Sequence, residues 1–212
     1  MDTILLSANH PEAIARALEI LTSGGLVAFP TDTVYGVGAL AFDGKAVESI
    51  YTAKNRPPEK SIPVLIGETS DLARVAIDVP EIALKLAARF WPGPLTLVVS
   101  KQPGLPAAIS ATGTVAVRVP DHPVARALLR AAGPLAVTSA NLSGQPSPST
   151  AEEVLTQLGG RIALVLDGGR TSGGVPSTLV DCLAPDLRVL RAGPISETEI
   201  QALAGQNLSS GS

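Results

Sequence analysis

The sequence has few of the residues that build disulfides, zinc sites and aromatic cores. It contains one cysteine, Cys182, and two histidines, His10 and His122, so neither an internal disulfide framework nor a zinc-site spacing is present. Aromatic residues make up 3% of the 212 residues, whereas hydrophobic residues make up 45%. The core must therefore consist of valine, leucine, isoleucine and alanine, and the chain is long enough for one sizeable domain.

Excess positive charge and long apolar runs are also absent. The formal net charge is −3, whereas a protein that coats nucleic acid by bulk electrostatics is expected to be basic. No run approaches the roughly 18 apolar residues that span a bilayer. The amino-terminal residues also lack a basic segment followed by an apolar signal core. We expect a cytoplasmic protein without a membrane partner.

The spacing of apolar residues predicts an α/β protein. Helical periodicity predicts helices at residues 11–23, 45–53, 72–76, 81–90, 123–132, 150–159 and 196–204. Short apolar or alternating runs predict strands at residues 26–29, 62–66, 95–100, 114–120, 135–137, 162–166, 177–181 and 187–190, the last two compatible with a hairpin. No repeat or linker divides the chain, so residues 1–205 are predicted to form one domain and residues 206–212 a disordered tail.

A cationic loop at residues 54–60 has the sequence Lys-Asn-Arg-Pro-Pro-Glu-Lys. Pro57 and Pro58 prevent the preceding helix from continuing, so we expect a stiff, extended loop that holds its cations apart. Because a pre-set loop loses less entropy on binding, it would suit a polyphosphate. A solvated turn with ordinary surface charges is the alternative, and this stretch by itself favours that alternative.

Two further segments are candidates for ligand binding. The polar loop at residues 30–38 carries hydroxyl and carboxylate groups that could orient a small ligand or could satisfy their own backbone in a turn, and neither is favoured. The hydroxyl-rich residues 145–149 precede a helix and could form an anion site.

Arg118 lies in an alternating strand, on the face opposite Val115, Val117 and Val119. Burying its charge without a partner would cost on the order of several kcal/mol. Its partner is either a ligand carboxylate, which we favour, or an internal carboxylate.

Three common catalytic motifs are excluded. The stretch at residues 38–46 lacks the glycine spacing of a P-loop and ends in Ala46, where that motif requires serine or threonine. The loop at residues 168–174 has no dinucleotide-binding order of glycines, and Ser139 has neither a nucleophile elbow nor a convincing histidine partner. The cations and hydroxyls that are present suit transfer at phosphorus, in which a protein mainly positions groups and stabilises charge.

Six segments match one protein family in order along the chain. They are residues 30–36 (PTDTVYG), 54–57 (KNRP), 90–96 (FWPGPLT), 117–120 (VRVP), 138–144 (TSANLSG) and 177–181 (STLVD). Over roughly residues 10–195 the chain resembles the YrdC-like threonylcarbamoyl-AMP synthases. The resemblance implies a twisted mixed sheet with flanking helices and a deep concave site. It also implies condensation of L-threonine, bicarbonate and ATP, accompanied by Mg²⁺, into threonylcarbamoyl-AMP and pyrophosphate, for N6-threonylcarbamoyladenosine synthesis at position 37 of tRNAs that read ANN codons.

The resemblance also implies roles for individual residues, although it indicates no metal ligands. The family's catalytic KxR…SxN set corresponds to Lys54, Arg56, Ser139 and Asn141. ATP contacts are implied for Arg56, Lys60, Thr114, Asn141, Ser149 and Arg191. L-threonine contacts are implied for Thr33, Arg118, Ser139 and Ser177. An arginine at position 118 suits bidentate recognition of an amino-acid carboxylate.

The sequence departs from the family pattern at two points. Some members have, at the position of Leu65, a histidine that touches threonine, so this contact must be replaced or dispensed with. The chain also resembles the short bacterial form without an additional C-terminal domain. We therefore expect threonylcarbamoyl-transfer proteins as partners, and tRNA could be a further one.

Two other functions are compatible with the sequence. A carbamoyl-adenylate-forming domain, as in hydrogenase maturation factors, would not need threonine. A double-stranded RNA-binding or tRNA-binding module would grip RNA with a steep dependence on salt and would not turn over ATP. The acidic net charge argues against RNA binding as the main role.

Overall fold

A computed structural model describes residues 2–172 and 174–205. Within these residues ten strands form one sheet: β1 Ile4–Ser7, β2 Val27–Phe29, β3 Gly36–Leu40, β4 Val64–Leu65, β5 Leu95–Ser100, β6 Thr114–Arg118, β7 Leu135–Ser139, β8 Leu164–Asp167, β9 Thr178–Asp181 and β10 Arg188–Arg191. The helices are α1 Ala13–Thr22, α2 Gly44–Lys54, α3 Glu81–Phe90, α4 Pro123–Ala132, α5 Ala151–Leu158 and α6 Glu197–Gly205, with a 3₁₀ helix at Thr69–Arg74. The predicted tail at residues 206–212 lies outside the described residues.

The sheet mixes parallel and antiparallel neighbours. Its strand order is β1-β8-β2-β3-β7-β4-β6-β5-β9-β10. The pairs β1–β8, β2–β8, β4–β6 and β5–β9 are parallel, whereas the other neighbours are antiparallel, including the predicted hairpin of β9 and β10. The predicted fold class, a mixed sheet flanked by helices, is confirmed.

The central strands alternate between two apolar cores. Val27 and Phe29 of β2 pack in the core that α1 and α4 cover, whereas Ala28 packs in the core on the opposite face. The same alternation occurs in β7 and β8. Because successive side chains of a strand point to opposite faces, both faces of the sheet are buried in this region.

The concave site is the continuation of the face that α1 and α4 cover elsewhere. Beyond β7, toward β6, β5 and β9, this face forms the floor of a cavity of about 480 Å³. Thr114, Ala116 and Arg118 of β6 line the cavity, whereas Val115 and Val117 pack in the opposite core. The predicted two faces of this strand are therefore confirmed.

Two strands were missed because their sequences carry weak strand signals. β1 is an edge strand, and its Ile4 and Leu5 are exposed, so its apolar residues do not alternate between core and solvent. β3 contains Gly36 and Gly38, which are uncommon in strands. A Cβ at either glycine would lie within 3 Å of the Val137 side chain, so close packing of β3 against β7 accounts for both.

Two predicted elements differ in type or length. The predicted helix at residues 72–76 overlaps the end of the 3₁₀ helix Thr69–Arg74, which begins with a reciprocal capping box between Glu68 and Asp71. The predicted strand at residues 62–66 pairs only over Val64–Leu65. Pro63 immediately precedes the paired residues and has no N–H to donate to a neighbouring strand.

Gly193 lies against the backbone at the start of β9, and we expect Gly193→Ala to destabilise the fold. A Cβ there would lie 2.6 Å from Ser177 C and 2.7 Å from Pro176 O, which are backbone atoms that cannot rotate away. Urea denaturation should show a loss of about 2–3 kcal/mol in the free energy of unfolding. Gly113→Ala is the control because no atom lies within 4 Å of its Cβ position. Equal stability of the two variants would contradict the prediction.

Candidate active site

The cavity brings together residues that lie far apart in the sequence. They come from the loop after β2, the cationic loop after α2, strand β6, the end of β7, the residues just before β9 and the end of β10. The sequence-predicted residues that line it are Thr33, Arg56, Lys60, Thr114, Arg118, Ser139, Ser177 and Arg191. Residues expected to contact ATP and residues expected to contact threonine therefore share one cavity.

Arg118 is 5% exposed, and its guanidinium is held at three points. Its Nε donates to Gly93 O at 2.9 Å, one terminal nitrogen donates to Thr33 Oγ1 at 3.0 Å, and the other donates to Asp32 Oδ1 at 2.5 Å. Burial lowers the pKa of Arg118, and the neighbouring Asp32 opposes that shift. The internal salt bridge is therefore present. Each terminal nitrogen carries a second N–H, so the guanidinium has donors left for a ligand.

Arg56 and Arg191 add two more cations to the cavity wall. Arg191 donates to Ser177 O from Nε at 3.0 Å and from a terminal nitrogen at 2.9 Å. Burial lowers the pKa of both arginines, and repulsion from Arg118 lowers that of Arg191 further. Cations that are partly desolvated and close to one another favour a bound anion, which would restore their pKa values.

The cationic loop is a turn and not the extended arm that its prolines predicted. Lys60 N donates to Pro57 O at 3.1 Å. The Arg56 side chain folds back on the same loop, with Nε donating to Lys60 O at 3.0 Å and a terminal nitrogen donating to Ser61 O at 2.7 Å. Proline fixes φ but leaves ψ free, so two prolines are compatible with a turn. These hydrogen bonds within the loop hold the Arg56 guanidinium at the cavity wall.

Lys54 lies behind the cavity wall. Its side chain is 1% exposed, and its ammonium donates to the backbone carbonyls of Ser139 and Asn141. Ser143 N also donates to Lys54 O at 2.9 Å. The expectation that Lys54 stabilises phosphate charge by direct contact does not fit this geometry. Lys54 instead holds the corner at residues 139–143, which presents Ser139 to the cavity.

Asn141 and Ser149 are not among the residues that line the cavity, so their predicted ATP contacts stay a prediction. Asn141 Nδ2 donates to Leu142 O and Gln145 O, both at 2.8 Å. Among the described residues its buried Oδ1 has no partner. Ser149 N donates to Glu153 Oε2 at 2.6 Å, and Glu153 N donates to Thr150 Oγ1 at 3.3 Å, so the chain itself caps the start of α5.

The loop at residues 30–36 forms the self-satisfied turn that was one of its two predicted alternatives, and two of its side chains also contact Arg118. Thr31 Oγ1 donates to Val34 O at 2.7 Å and accepts from Thr33 N at 3.2 Å, which is a self-satisfied turn. Thr33 Oγ1 accepts from Arg118, and Asp32 forms the salt bridge described above. The turn therefore presents one hydroxyl and one carboxylate to the same guanidinium.

Several cavity residues were not predicted. Buried Thr96 shares a 2.7 Å hydroxyl contact with Ser177, and the Ser61 and Ser110 hydroxyls lie 3.4 Å apart. Thr96 lies within one of the six matching segments, which was a usable signal, but Ser110 lies in a loop without a recognisable pattern. Leu65, which pairs with Arg118 in the sheet, lines the cavity with an apolar side chain.

Neither a metal-binding cluster of His, Cys, Asp or Glu nor a membrane-spanning helix is found in the part of the chain that the structure describes. Across residues 2–172 and 174–205, no three His, Cys, Asp or Glu side chains come together to hold a metal ion. Over the same residues, no helix has the length and apolar character needed to cross a bilayer. The polar groups of the cavity are mainly hydroxyls and cations.

The buried lysine should make stability depend on pH. Burial lowers the pKa of Lys54 from 10.5 to about 7, with a smaller contribution from Arg56. Below pH 7 Lys54 is charged in both states and the burial penalty is fully present. Between about pH 7 and pH 10 only the unfolded chain keeps this proton, so stability rises with pH. Urea denaturation should show that wild type gains roughly 2 kcal/mol more than Lys54→Met from about pH 6.5 to pH 9. Parallel pH profiles would contradict this.

The fold and the cavity together define an α/β protein with a cationic cleft on one sheet face, suited to an anionic ligand. A family model named Sua5/YciO/YrdC, described as "Telomere recombination", matches residues 19–193. The chain belongs to this family.

Curated relatives and a solved structure support the same family membership. The threonylcarbamoyl-AMP synthase of Bacillus subtilis (strain 168) is 48% identical over 204 residues, which are 94% of this chain and 58% of the relative. That of Vibrio cholerae is 37% identical over 187 residues, covering 86% of this chain and 98% of the relative. A crystal structure of P. abyssi Sua5 in complex with L-threonine matches with a TM-score of 0.92 at 41% identity, over 96% of this chain and 61% of that one. The chain therefore spans under two thirds of some relatives and nearly all of others.

Proposed function

We propose that the protein is an L-threonylcarbamoyladenylate synthase that makes threonylcarbamoyl-AMP and pyrophosphate from L-threonine, bicarbonate and ATP. One observation carries the proposal. A buried arginine fork, Arg118 with Thr33, lies in the same cavity as the cations Arg56, Lys60 and Arg191. The fork suits an amino-acid carboxylate, and the separate cations suit a triphosphate. The printed names of the relatives and the threonine-bound Sua5 support the same assignment.

The proposed reaction begins when the threonine amine combines with bicarbonate and loses water to give a carbamate. A carbamate oxygen then attacks the α-phosphorus of ATP, and the bond from that phosphorus to the bridging oxygen breaks to release pyrophosphate. A Mg²⁺ ion bound to ATP would supply neutralisation of part of the phosphate charge. In the proposal, Arg56, Lys60 and Arg191 stabilise charge that develops on the phosphates, whereas Arg118 holds the carboxylate.

The corner at residues 139–143 has a positioning role in this proposal. Ser139 is its cavity-lining member, and its backbone carbonyl is held by Lys54. A fixed hydroxyl beside the amino-acid subsite would orient the carbamate for attack. Lys54 and Asn141 would contribute through the shape of the corner.

The test measures pyrophosphate release while L-threonine, bicarbonate and ATP are omitted in turn. The proposal predicts that omission of any one abolishes release. Release that persists without threonine would favour the alternative, a carbamoyl-adenylate-forming domain. Tight RNA binding with a steep salt dependence and no ATP turnover would favour the RNA-binding alternative. Either result would overturn the proposal.

The product is proposed to supply N6-threonylcarbamoyladenosine synthesis at tRNA position 37. A mixed carbamoyl-phosphate anhydride is reactive, so proteins that transfer the threonylcarbamoyl group are expected partners, and tRNA could bind as well. We also propose a cytoplasmic location, which suits a tRNA-modification pathway. Addition of purified product to a tRNA-modification extract that lacks this protein should restore the modified nucleoside.

A further inference from the structure

We propose that Asp32 is the positioning residue of the amino-acid subsite, where it fixes the Arg118 fork. The inference rests on the proposed function. Asp32 Oδ1 accepts from a terminal nitrogen of Arg118 at 2.5 Å and from Asp121 N at 3.0 Å. The side chains of Arg118 and Asp32 are 6% and 14% exposed. One carboxylate oxygen thus joins the arginine, the loop after β2 and the loop after β6.

The carboxylate acts through Arg118 because it does not line the cavity. Thr31 and Thr33 on either side of Asp32 line the cavity, but Asp32 does not. Its second oxygen, Oδ2, is buried and has no partner among the described residues. A buried, half-satisfied carboxylate is costly, so its position suggests a role other than stability.

Three hydrogen-bond acceptors together orient the guanidinium plane of Arg118. Gly93 O holds Nε and Thr33 Oγ1 holds one terminal nitrogen, whereas Asp32 holds the other terminal nitrogen. Loss of Asp32 would free that end of the guanidinium to turn toward other acceptors. The second N–H groups of the two terminal nitrogens would then no longer meet a carboxylate in bidentate geometry.

The expected effect is specific to the amino acid. Arg56 is anchored in the cationic loop by its own backbone carbonyls, and Asp32 contacts neither that loop nor Arg56 through any of its hydrogen bonds described above. Loss of one charged hydrogen bond changes an equilibrium constant or a rate constant by about ten- to hundredfold. Asp32→Ala should therefore raise the KM for L-threonine at least ~10-fold and change kcat and the KM for ATP by less than ~3-fold.

Asp32→Asn tests the same idea in a variant that keeps the acceptor oxygen. It should hold the KM for L-threonine within about fivefold of wild type, since a neutral acceptor replaces a charged one. Asp121→Asn is the matched control. It removes a nearby exposed carboxylate but keeps the backbone N–H that contacts Asp32, so its kinetic constants should match wild type.

A double-mutant cycle separates a positioning role from a structural one. In an Arg118→Lys background, Asp32→Ala should change the threonine KM less than ~2-fold, because the fork is already lost. The inference is overturned if the two effects multiply, or if Asp32→Ala lowers kcat and raises both KM values together. If Asp32→Ala does not fold, Asp32→Asn decides: a two- to fivefold rise in the threonine KM with an unchanged ATP KM supports the inference, whereas an unchanged threonine KM overturns it. Absence of threonine-dependent release in wild type would instead reject the proposed function.

Discussion

Lys54→Met should lower threonine-dependent pyrophosphate release at least ~100-fold, although residue 54 does not line the cavity. Its ammonium is the shared donor to the carbonyls of Ser139 and Asn141. Below pH 7, where Lys54 is charged, each of these hydrogen bonds contributes about 1.5–3 kcal/mol, so loss of both should move the corner that presents Ser139. Methionine has a similar length and suits a buried position, so the variant should remain folded.

The measurement is steady-state kinetics at saturating threonine and ATP, with circular dichroism as the check on folding. Lys45→Met is the matched control, because Lys45 is an exposed lysine near the start of the same helix, α2. The control should keep wild-type kinetics. Near-normal turnover of folded Lys54→Met would reject the view that this lysine shapes the corner.

Arg56→Lys should reduce pyrophosphate release about ten- to hundredfold. Arginine at this position uses Nε and one terminal nitrogen to bind Lys60 O and Ser61 O, which leaves its other N–H groups for an anion. Lysine keeps the charge but has a single donor centre, so it cannot hold the turn and the phosphates at the same time. The loss should appear in kcat and in the KM for ATP, with the threonine KM less affected.

Arg16→Lys is the control for that substitution. Arg16 forms an exposed ion pair with Glu19 on α1, and such surface pairs contribute little. Arg16→Lys should therefore behave as wild type. Threonine-dependent release at the wild-type rate in Arg56→Lys would show that the fork of Arg56 has no part in the reaction.

The fold was predictable wherever strand alternation was regular. The alternation of residues 114–118 separated Arg118 from Val115 and Val117, and the structure places them on opposite faces. Strand β3 was not predictable, since its glycines are explained by the Val137 side chain, which is distant in sequence. Local patterns report local constraints, whereas a close approach between strands is a property of the assembled sheet.

The site was predictable as a set of residues but not as a set of contacts. The resemblance brought Lys54 and Ser139 together correctly, yet a charged lysine in a cationic segment suggested a phosphate contact. The structure buries that ammonium against carbonyls, which no sequence pattern indicates. The salt bridge between Asp32 and Arg118 was also left as an alternative, because the partner of a buried arginine depends on which loops the sheet brings together.

The cavity floor is made of alternate residues whose immediate neighbours in the strand belong to the interior. Ala116 and Val98 face the open space, whereas Val115, Val117 and Leu97 are packed on the far side. Substrate scope can therefore be altered by substitution at every second position without a change in the packed layer beneath. A library that varies only residues 98, 116 and 179 should yield folded variants at high frequency. This separation makes the scaffold a practical starting point for testing bulkier variants of the proposed amino-acid substrate.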